Sequence, residues 1–395
     1  MNYLFALAIL LVVAKSLEWL FERRSIPPII AHVLTGIILG PFILGVIQPL
    51  GELKVLSEFG LLMMMLYMGL TSNFSAIAQN TKKSVVVAAM GVAFSFLLGF
   101  ATVMTFGEGL AAAIFVGITL GNTAIEVTSG ILVKERVKRE VSSILMGAAF
   151  ADDIIAVYLI GIITALARGE FKPHSLLLLT IKIALFIAGT LLLSEFVFKR
   201  ARSFSHIIKN LNVFFTFTLI LTFSLALLAE TVGLHYIIGA YLAGLTISRL
   251  RERKDPMIIS RIKLNELIEN LQVVLTEFFI PLFFIYVGLM FNPKVSEINL
   301  ALIVILYAAA VLGKLIGCSL GSRMFGLEWK DSILIGIGMG GRGSLELAIL
   351  KFGLDTGIIN QALFAGVVTV SMMTALTTPF FFRKYLKRTR QNGKA

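Results

Sequence analysis

Apolar runs long enough to cross a lipid bilayer recur along almost the whole chain of 395 residues. A membrane-spanning helix needs roughly 17–25 predominantly apolar residues. We count thirteen such segments, numbered in chain order: 2–21, 27–46, 55–71, 84–105, 110–132, 141–166, 174–197, 211–229, 232–248, 268–291, 298–321, 331–351 and 358–382. Only 15% of the residues are charged and the mean hydropathy is +0.92, whereas soluble domains carry about 25% charged residues. The sequence therefore predicts an all-α polytopic membrane protein with about 13 transmembrane helices.

The basic residues are distributed unevenly between the loops of this topology. If the N-terminus lies outside, the inward loops and the C-terminal tail contain 26 of the 35 lysines and arginines and the outward loops contain five. Membrane proteins show this bias because basic residues stay on the cytoplasmic side. The formal net charge of +12 is therefore explained by topology, and we expect no nucleic-acid partner. We predict an external N-terminus and a cytoplasmic C-terminus in a prokaryotic inner (plasma) membrane.

The chain contains an internal repeat. Residues 56–73 align without gaps on residues 275–292, with seven of the eighteen positions identical, Gly69 and Gly288 among them. A weaker match pairs Gly36 with Gly244, and a third pairs residues 117–126 with 336–346. The matched segments run in opposite directions through the membrane, so we predict inverted-topology repeats of segments 2–6 and 9–13. In many secondary transporters such repeats meet at a midplane binding site.

Segments 5 and 12 have sequences that disfavour a continuous helix. Segment 5 contains GNTAIEVTSG and segment 12 contains GIGMGGRGS, with five glycines in nine residues. Glycine costs about 1 kcal/mol relative to alanine inside a helix, and non-helical backbone at membrane depth is tolerated where it lines a cavity or is buried in protein. We predict two crossing broken helices that line an ion site. Close packing of helices through small residues is the alternative.

Two adjacent acids, Asp152 and Asp153, lie in the middle of apolar segment 6. A charged side chain near the bilayer centre costs about 2.5–3.5 kcal/mol on insertion scales, so this pair indicates a cation or proton site. Neighbours on a helix point about 100° apart; one acid can face a cavity and the other a basic partner such as Lys314 or Arg342. A structural ion pair with Lys314 is the alternative role for Asp152.

The other candidate residues lie near the two predicted helix breaks. Thr123 and Glu126 in segment 5 are candidate ligands beside Asp152 and Asp153, although Glu126 is equally suited to pair with Arg342. Glu346 is expected to compensate Arg342 or a half-helix dipole. A hard monovalent cation bound by these oxygens must compete with a proton, and this competition produces cation/proton exchange if only the loaded forms cross between access states.

Several of these motifs, in this order, resemble the cation/proton antiporter superfamily in its sodium/proton exchanger family, in the monovalent cation:proton antiporter-2 branch. They are IPPIIAHVLTGIILGP in segment 2, FADDIIAVY in segment 6, GLHYIIGAYLAGL in segment 9, FFIPLFFIYVGL in segment 10, LGKLIG in segment 11 and GGRGSLEL in segment 12. The chain departs from the family pattern at Glu126, where relatives usually have a small polar or apolar residue. It also departs at His32, where a tyrosine-like residue is common.

The resemblance implies a homodimer in which each protomer has a dimerisation part and a core transport part that moves like an elevator. The dimerisation part would comprise 1–80 and 211–297, the core part 81–167 and 298–395, and the linker helix 168–210. Asp153 would bind the cation and the proton, Asp152 would pair with Lys314, and Arg342 would line the crossing in segment 12. An Asp-Asp pair with a lysine resembles the electrogenic exchangers.

We therefore expect a secondary active antiporter rather than an enzyme. The antiporter would exchange Na⁺ (or Li⁺) for H⁺ in pH homeostasis and would need no cofactor. Potassium/proton exchange is the nearest alternative, because ion choice depends on cavity size and dehydration. A sodium-coupled symporter for an organic anion would use Arg342 to bind a carboxylate. A cation channel would also contain broken helices and buried acids, but Lys314 would place a positive charge in its path.

Overall fold

The computed structural model describes the chain over 3–24, 26–49, 51–71, 81–124, 137–167, 181–182, 184–186, 188–190, 192, 211–232, 234–252, 258–294 and 299–392. Over these residues the secondary structure is helical. The helices are α1 (Tyr3–Glu22), α2 (Pro28–Leu39), α3 (Gly51–Thr71), α4 (Thr81–Thr105), α5 (Leu110–Leu120), α6 (Arg139–Ala167), α7 (Leu211–Val232), α8 (Tyr236–Glu252), α9 (Ile258–Val274), α10 (Ile280–Leu289), α11 (Leu300–Arg323), α12 (Trp329–Gly338), α13 (Ser344–Asp355) and α14 (Gln361–Asn392). One π-helical turn, Leu275–Phe279, joins α9 to α10.

By length and composition, seven of the described helical stretches are suited to cross a membrane. They are Tyr3–Glu22, Gly51–Thr71, Lys82–Thr105, Asn212–Val232, Ile268–Leu289, Leu300–Arg323 and Gln361–Thr389. Shorter apolar helices cover Pro28–Leu39, Leu110–Leu120 and Tyr236–Ser248. Predicted segment 12 is divided into α12 and α13 as expected, and α5 ends at Leu120, well before the predicted end of segment 5 at 132. The rest of segment 5 beyond Ala124 lies outside the described residues. The total of thirteen spans stays a prediction.

The helices form two compact units. The first comprises Met1–Pro49, Ala76–Leu159 and Phe284–Ala395, and the second comprises Leu50–Ser75 and Ile160–Phe283. The domain assignment taken from the family resemblance stays a prediction.

In the first unit α4 and α11 pack closely along a stripe of glycines. Gly313, Gly317 and Gly321 lie at four-residue spacing on α11, and a Cβ atom on any of them would press against the backbone of α4. Small residues at this spacing let two helix backbones approach each other in a membrane. Beside this stripe, apolar side chains of α4, α6, α12 and α14 form a continuous core that includes Val87, Leu145, Leu334 and Phe382.

Glycines that the repeat makes equivalent mediate one close helix contact in each unit. In the first unit a Cβ on Gly36 of α2 would clash with backbone atoms of α10 around Gly288. In the second unit a Cβ on Gly244 of α8 would clash with backbone atoms of α3 beside Gly69. The repeat pairs Gly36 with Gly244 and Gly69 with Gly288, so each contact joins a helix of one repeat to a helix of the other.

Candidate functional site

The two helix interruptions of the first unit meet each other. The backbone N–H of Ala124, four residues beyond the end of α5, donates a hydrogen bond of 2.8 Å to the carbonyl of Gly341. The Thr123 hydroxyl donates to the carbonyl of Met339 at 3.0 Å. Helix ends leave backbone groups without intrahelical partners, and here each interruption supplies partners for the other. The end of α5 thus meets the break between α12 and α13, as expected for crossing broken helices, while residues 125–136 of the predicted segment 5 region lie outside the described residues.

Local sequence explains why both helices stop at this point. Gly121 follows the last residue of α5, and Gly340, Gly341 and Gly343 lie in the five residues between α12 and α13. Glycine loses more conformational entropy than other residues when it is fixed in a helix. The non-helical path of this backbone therefore costs little free energy. Gly343 is the N-cap residue of α13 and has no side chain to cap the helix.

Asp152 and Lys314 form a fully buried ion pair beside this crossing. Lys314 Nζ of α11 donates to Asp152 Oδ2 of α6 at 2.6 Å, and both side chains are 0% exposed. Asp152 Oδ1 is buried without a hydrogen-bond partner among the described residues, and the Thr123 side chain lies next to this carboxylate. The pair therefore leaves one carboxylate oxygen available to a further donor or to a cation.

Asp153, the next residue of α6, is only partly buried, whereas Asp152 is buried. The difference agrees with the turn of about 100° per residue along a helix. The two neighbouring carboxylates thus occupy different surroundings, as the sequence predicted. Glu126, the other acid proposed as a ligand, lies outside the described residues.

Arg342 is held between the two interruptions and α11. Its Nη1 donates to the carbonyl of Asn122 at 3.2 Å, and its Nη2 donates to the carbonyl of Ala310 at 3.3 Å. Nη1 also lies 3.6 Å from Glu346 Oε1 in α13, and both side chains are 0% exposed. The planar guanidinium presents several donors in fixed directions, which suits it to bind carbonyls on two elements and a carboxylate on a third.

The site contains buried oxygen atoms that lack hydrogen-bond donors. Among the described residues, Asn122 Oδ1, Asp152 Oδ1 and both carboxylate oxygens of Glu346 are buried without a hydrogen bond. Carboxylate, amide and carbonyl oxygens are the ligand types that hard cations prefer. In the described part of the chain, no three His, Cys, Asp or Glu side chains are grouped as a metal-binding cluster. The arrangement suits a cation held by mixed oxygen ligands.

The structure therefore brings together Asp152, Thr123, Lys314, Arg342 and Glu346, with Asp153 beside Asp152 on the same helix. Their transport roles stay predictions. Sequence reasoning assigned Asn122 only a helix-breaking role and missed it as an acceptor for Arg342. Its place in GNTAIE, directly after the last turn of α5, was the available signal. The carbonyl of Ala310 gave no such signal, because every residue has a carbonyl group.

Comparison with known proteins gives concordant matches over almost the whole chain. The model of a family described as sodium/hydrogen exchanger, transmembrane, matches residues 7–387. The probable Na⁺/H⁺ antiporter GerT of Bacillus cereus is 28% identical over 98% of this chain and 100% of its own length. The Na⁺/H⁺-K⁺ antiporter GerN of the same organism is 28% identical over 96% of this chain and 95% of its own.

A solved structure has the same fold. The sodium proton antiporter MjNhaP1 of Methanocaldococcus jannaschii, determined at pH 8, superimposes with a TM-score of 0.74 at 18% identity and covers 95% of each chain. This likeness, at such low identity, concerns the fold alone. Together with the apolar helices it confirms the prediction of an all-α polytopic membrane protein.

Proposed function

Because this chain belongs to the sodium/hydrogen exchanger family, we propose that it exchanges Na⁺ (or Li⁺) for H⁺ across the membrane by alternating access. The observation that carries the proposal is the buried charge cluster at the crossing of the two helix interruptions. Lys314 and Arg342 supply two positive charges, and Asp152 and Glu346 supply two negative charges, within a region of buried side chains. Within these two described pairs, Asp152–Lys314 and Arg342–Glu346, the charges balance formally.

We assign the exchanging carboxylate to Asp153, which lies next to Asp152 on α6 and is only partly buried. Its negative charge is neutralised when it binds either one proton or one monovalent cation, so the two ligands compete for the same group. A carboxylate charge is costly in a membrane interior, so neutralisation of Asp153 by either ligand would make movement of the site between access states easier. Exchange follows from this effect. The cation carries the site across the membrane in one direction, and the proton that replaces it carries the site back.

The neighbouring groups would complete the coordination of the cation. Asn122 Oδ1 and Asp152 Oδ1 are buried acceptors without a hydrogen-bond partner among the described residues, and Thr123 lies beside Asp152. Lys314 holds the other oxygen of Asp152, which fixes the orientation of that carboxylate. We assign Asp153 to cation and proton binding, Asp152, Thr123 and Glu126 to supporting ligands, and Lys314, Arg342 and Glu346 to charge compensation.

The finer features of the proposal rest on sequence. The Asp-Asp pair with a lysine supports electrogenic exchange, and the resemblance supports an elevator-like movement within a homodimer. The excess of basic residues in the inward loops supports an external N-terminus and a cytoplasmic C-terminus in a prokaryotic inner membrane. We infer that the proton gradient drives the exchange, with no cofactor.

The test measures proton flux in proteoliposomes with an imposed pH gradient. Sodium, lithium or potassium is added in turn to the wild type, to Asp153→Asn, and to Asp331→Asn, which makes the same chemical change outside the cluster. We expect sodium or lithium to collapse the gradient in the wild type and in Asp331→Asn, and no response in Asp153→Asn.

The other outcomes decide between the alternatives. A response to potassium alone would replace sodium exchange by potassium exchange. Sodium uptake that requires an organic anion and moves no protons would replace antiport by symport. Full exchange in Asp153→Asn would overturn the assignment of the binding carboxylate and make Glu126 the next candidate.

A further inference from the structure

A cleft with basic walls lies between the link that joins α1 to α2 and the C-terminal half of α14. Its volume is about 510 Å³. The link contributes Arg24, and α14 contributes Arg383, Lys384 and Lys387. All four belong to the first unit, and none of them takes part in the ion cluster described above.

The positive charge of this cleft favours the binding of an anion. The four bases line it together, and no acidic residue among those the structure describes does so. None of the four forms an ion pair with a carboxylate of the described chain, although Lys384 Nζ lies 5.9 Å from the ring centre of Phe380. Like charges gathered in a concave surface raise the local potential and concentrate anions there. A phosphate group, which accepts several hydrogen bonds, matches such a set of donors.

The apolar part of the cleft identifies the kind of anion. Ile26, Pro27, Leu376, Pro379 and Phe380 line it beside the bases. Leu376 is 40% exposed and Phe380 is 60% exposed. Exposed apolar side chains next to basic ones are suited to a molecule with a charged head and hydrocarbon chains. A soluble phosphate compound would leave these apolar surfaces uncovered.

The position of the cleft along the chain supports the same occupant. In the topology predicted from charge, both the α1–α2 link and the end of α14 lie on the cytoplasmic side, where apolar helices leave the bilayer. Basic pockets between helices at this level bind the headgroups of anionic lipids. We propose that this cleft is a binding site for an anionic phospholipid, with the phosphate at the four bases and the acyl chains along Leu376 and Phe380.

Native mass spectrometry of the purified full-length chain tests the proposal directly. Phosphatidylglycerol or phosphatidylcholine is added in detergent, and the bound lipid is counted at each concentration. The test variant is Arg24→Gln with Lys387→Gln, which removes one base from each wall. The control is Lys82→Gln with Lys330→Gln, two exposed bases that the same topology places on the cytoplasmic side but outside the cleft.

Each base near a charged lipid contributes about 1 kcal/mol, and 1.4 kcal/mol corresponds to tenfold in affinity. We expect the test variant to bind phosphatidylglycerol on the order of 25-fold more weakly than the wild type, and the control to bind it as the wild type does. Equal loss in both variants, or equal binding of the two lipids, would overturn the proposal. So would saturable displacement of the lipid by inorganic phosphate, since the occupant would then be a soluble anion.

The proposal is independent of the transported ion, because the readout is bound lipid. All four substituted side chains are exposed, so the fold is expected to survive. Equal melting temperatures of the lipid-free variants check this, and wild-type cation exchange in the test variant without lipid would show that the ion site is intact. If the melting temperature of the test variant is lowered, the charge-conserving variant Arg24→Lys with Lys387→Arg separates loss of charge from loss of fold. The proposal requires this variant to bind the lipid.

Discussion

Lys314 and Asp152 are separated by 162 positions in the chain, yet the ammonium of one lies 2.6 Å from the carboxylate of the other, with neither side chain exposed. Removing one partner of such a pair leaves an uncompensated buried charge, which costs about 3–5 kcal/mol. We expect Lys314→Met to lower the free energy of unfolding in detergent by this amount.

The double variant Lys314→Met with Asp152→Asn separates the charge effect from the loss of packing. Without the orphaned carboxylate, most of the lost stability should return. Unfolding curves of the two single variants and the double variant measure the coupling. Additive losses would show that the ion pair contributes nothing beyond its separate side chains.

Arg342 is expected to resist replacement by lysine. Two of its nitrogen atoms bind carbonyls on different elements, Asn122 and Ala310, and an ammonium cannot reproduce that fork. Arg342→Lys should lower stability by about 1–3 kcal/mol, since it strands at least one hydrogen-bond acceptor, and it should slow exchange. Thermal unfolding and proteoliposome flux measure both effects. Wild-type stability and flux in Arg342→Lys would show that charge alone matters at this position.

The repeat-related glycines predict matched effects in two places. Gly36→Ala and Gly244→Ala each press a methyl group against the backbone of a neighbouring helix, and overpacking of this kind costs typically about 1–3 kcal/mol. Gly51→Ala is the control, because a Cβ there meets no atom within 4 Å, and it should be neutral or slightly stabilising. Melting temperatures measure all three. A normal melting temperature for either packed variant would contradict the contact at that site.

The pair Lys138–Asp331 should behave quite differently from the buried one. Its atoms are 2.8 Å apart, but the lysine side chain is 67% exposed, so the pair should contribute no more than about 1 kcal/mol. The hydrogen bond from Lys138 to Asp331 raises the pKa of the lysine above its ordinary value of 10.5.

A raised lysine pKa means that the stabilisation is fully present below the ordinary value and is lost as the pH rises through the raised value. Asp331→Asn should therefore lower the melting temperature by the same small amount throughout the neutral range, and the difference should shrink in strong salt. A difference that varied between about pH 6 and about pH 9 would assign the effect to another titrating group.

The sequence predicted where the helices stop, but it did not predict which residues contact each other at those points. Glycines and small polar residues around Gly121 and Gly340 weaken a helix locally, so both interruptions could be located from the chain alone. The hydrogen bond from Ala124 to Gly341 could only be anticipated as a crossing, because its partners lie far apart and backbone groups have no sequence signature. The importance of Asn122 as an acceptor depends on where the Arg342 side chain reaches, which tertiary packing decides.

The apolar runs predicted from the sequence mark membrane spans, and the helices that contain them extend further. Predicted segment 13 stops at 382, yet α14 continues to Asn392, because the basic residues beyond the apolar run have good intrinsic helix propensity. Predicted segment 10 begins at 268, as does the candidate span Ile268–Leu289, while the helix that contains this start, α9, begins earlier, at Ile258. Hydropathy shows where the chain is apolar. A helix continues beyond the apolar run where the polar residues that follow have good helix propensity.

The hydrogen bonds that Thr123 and Ala124 donate to Met339 and Gly341 bear on how the protein is made. The ribosome must synthesise more than two hundred further residues before those carbonyls exist. During that interval the first interruption lacks these partners, and neither Lys314 nor Arg342 is present to balance Asp152. The proposed ion site is therefore complete only after the last third of the chain has been synthesised, and a chain that is truncated before Lys314 lacks its compensating charges.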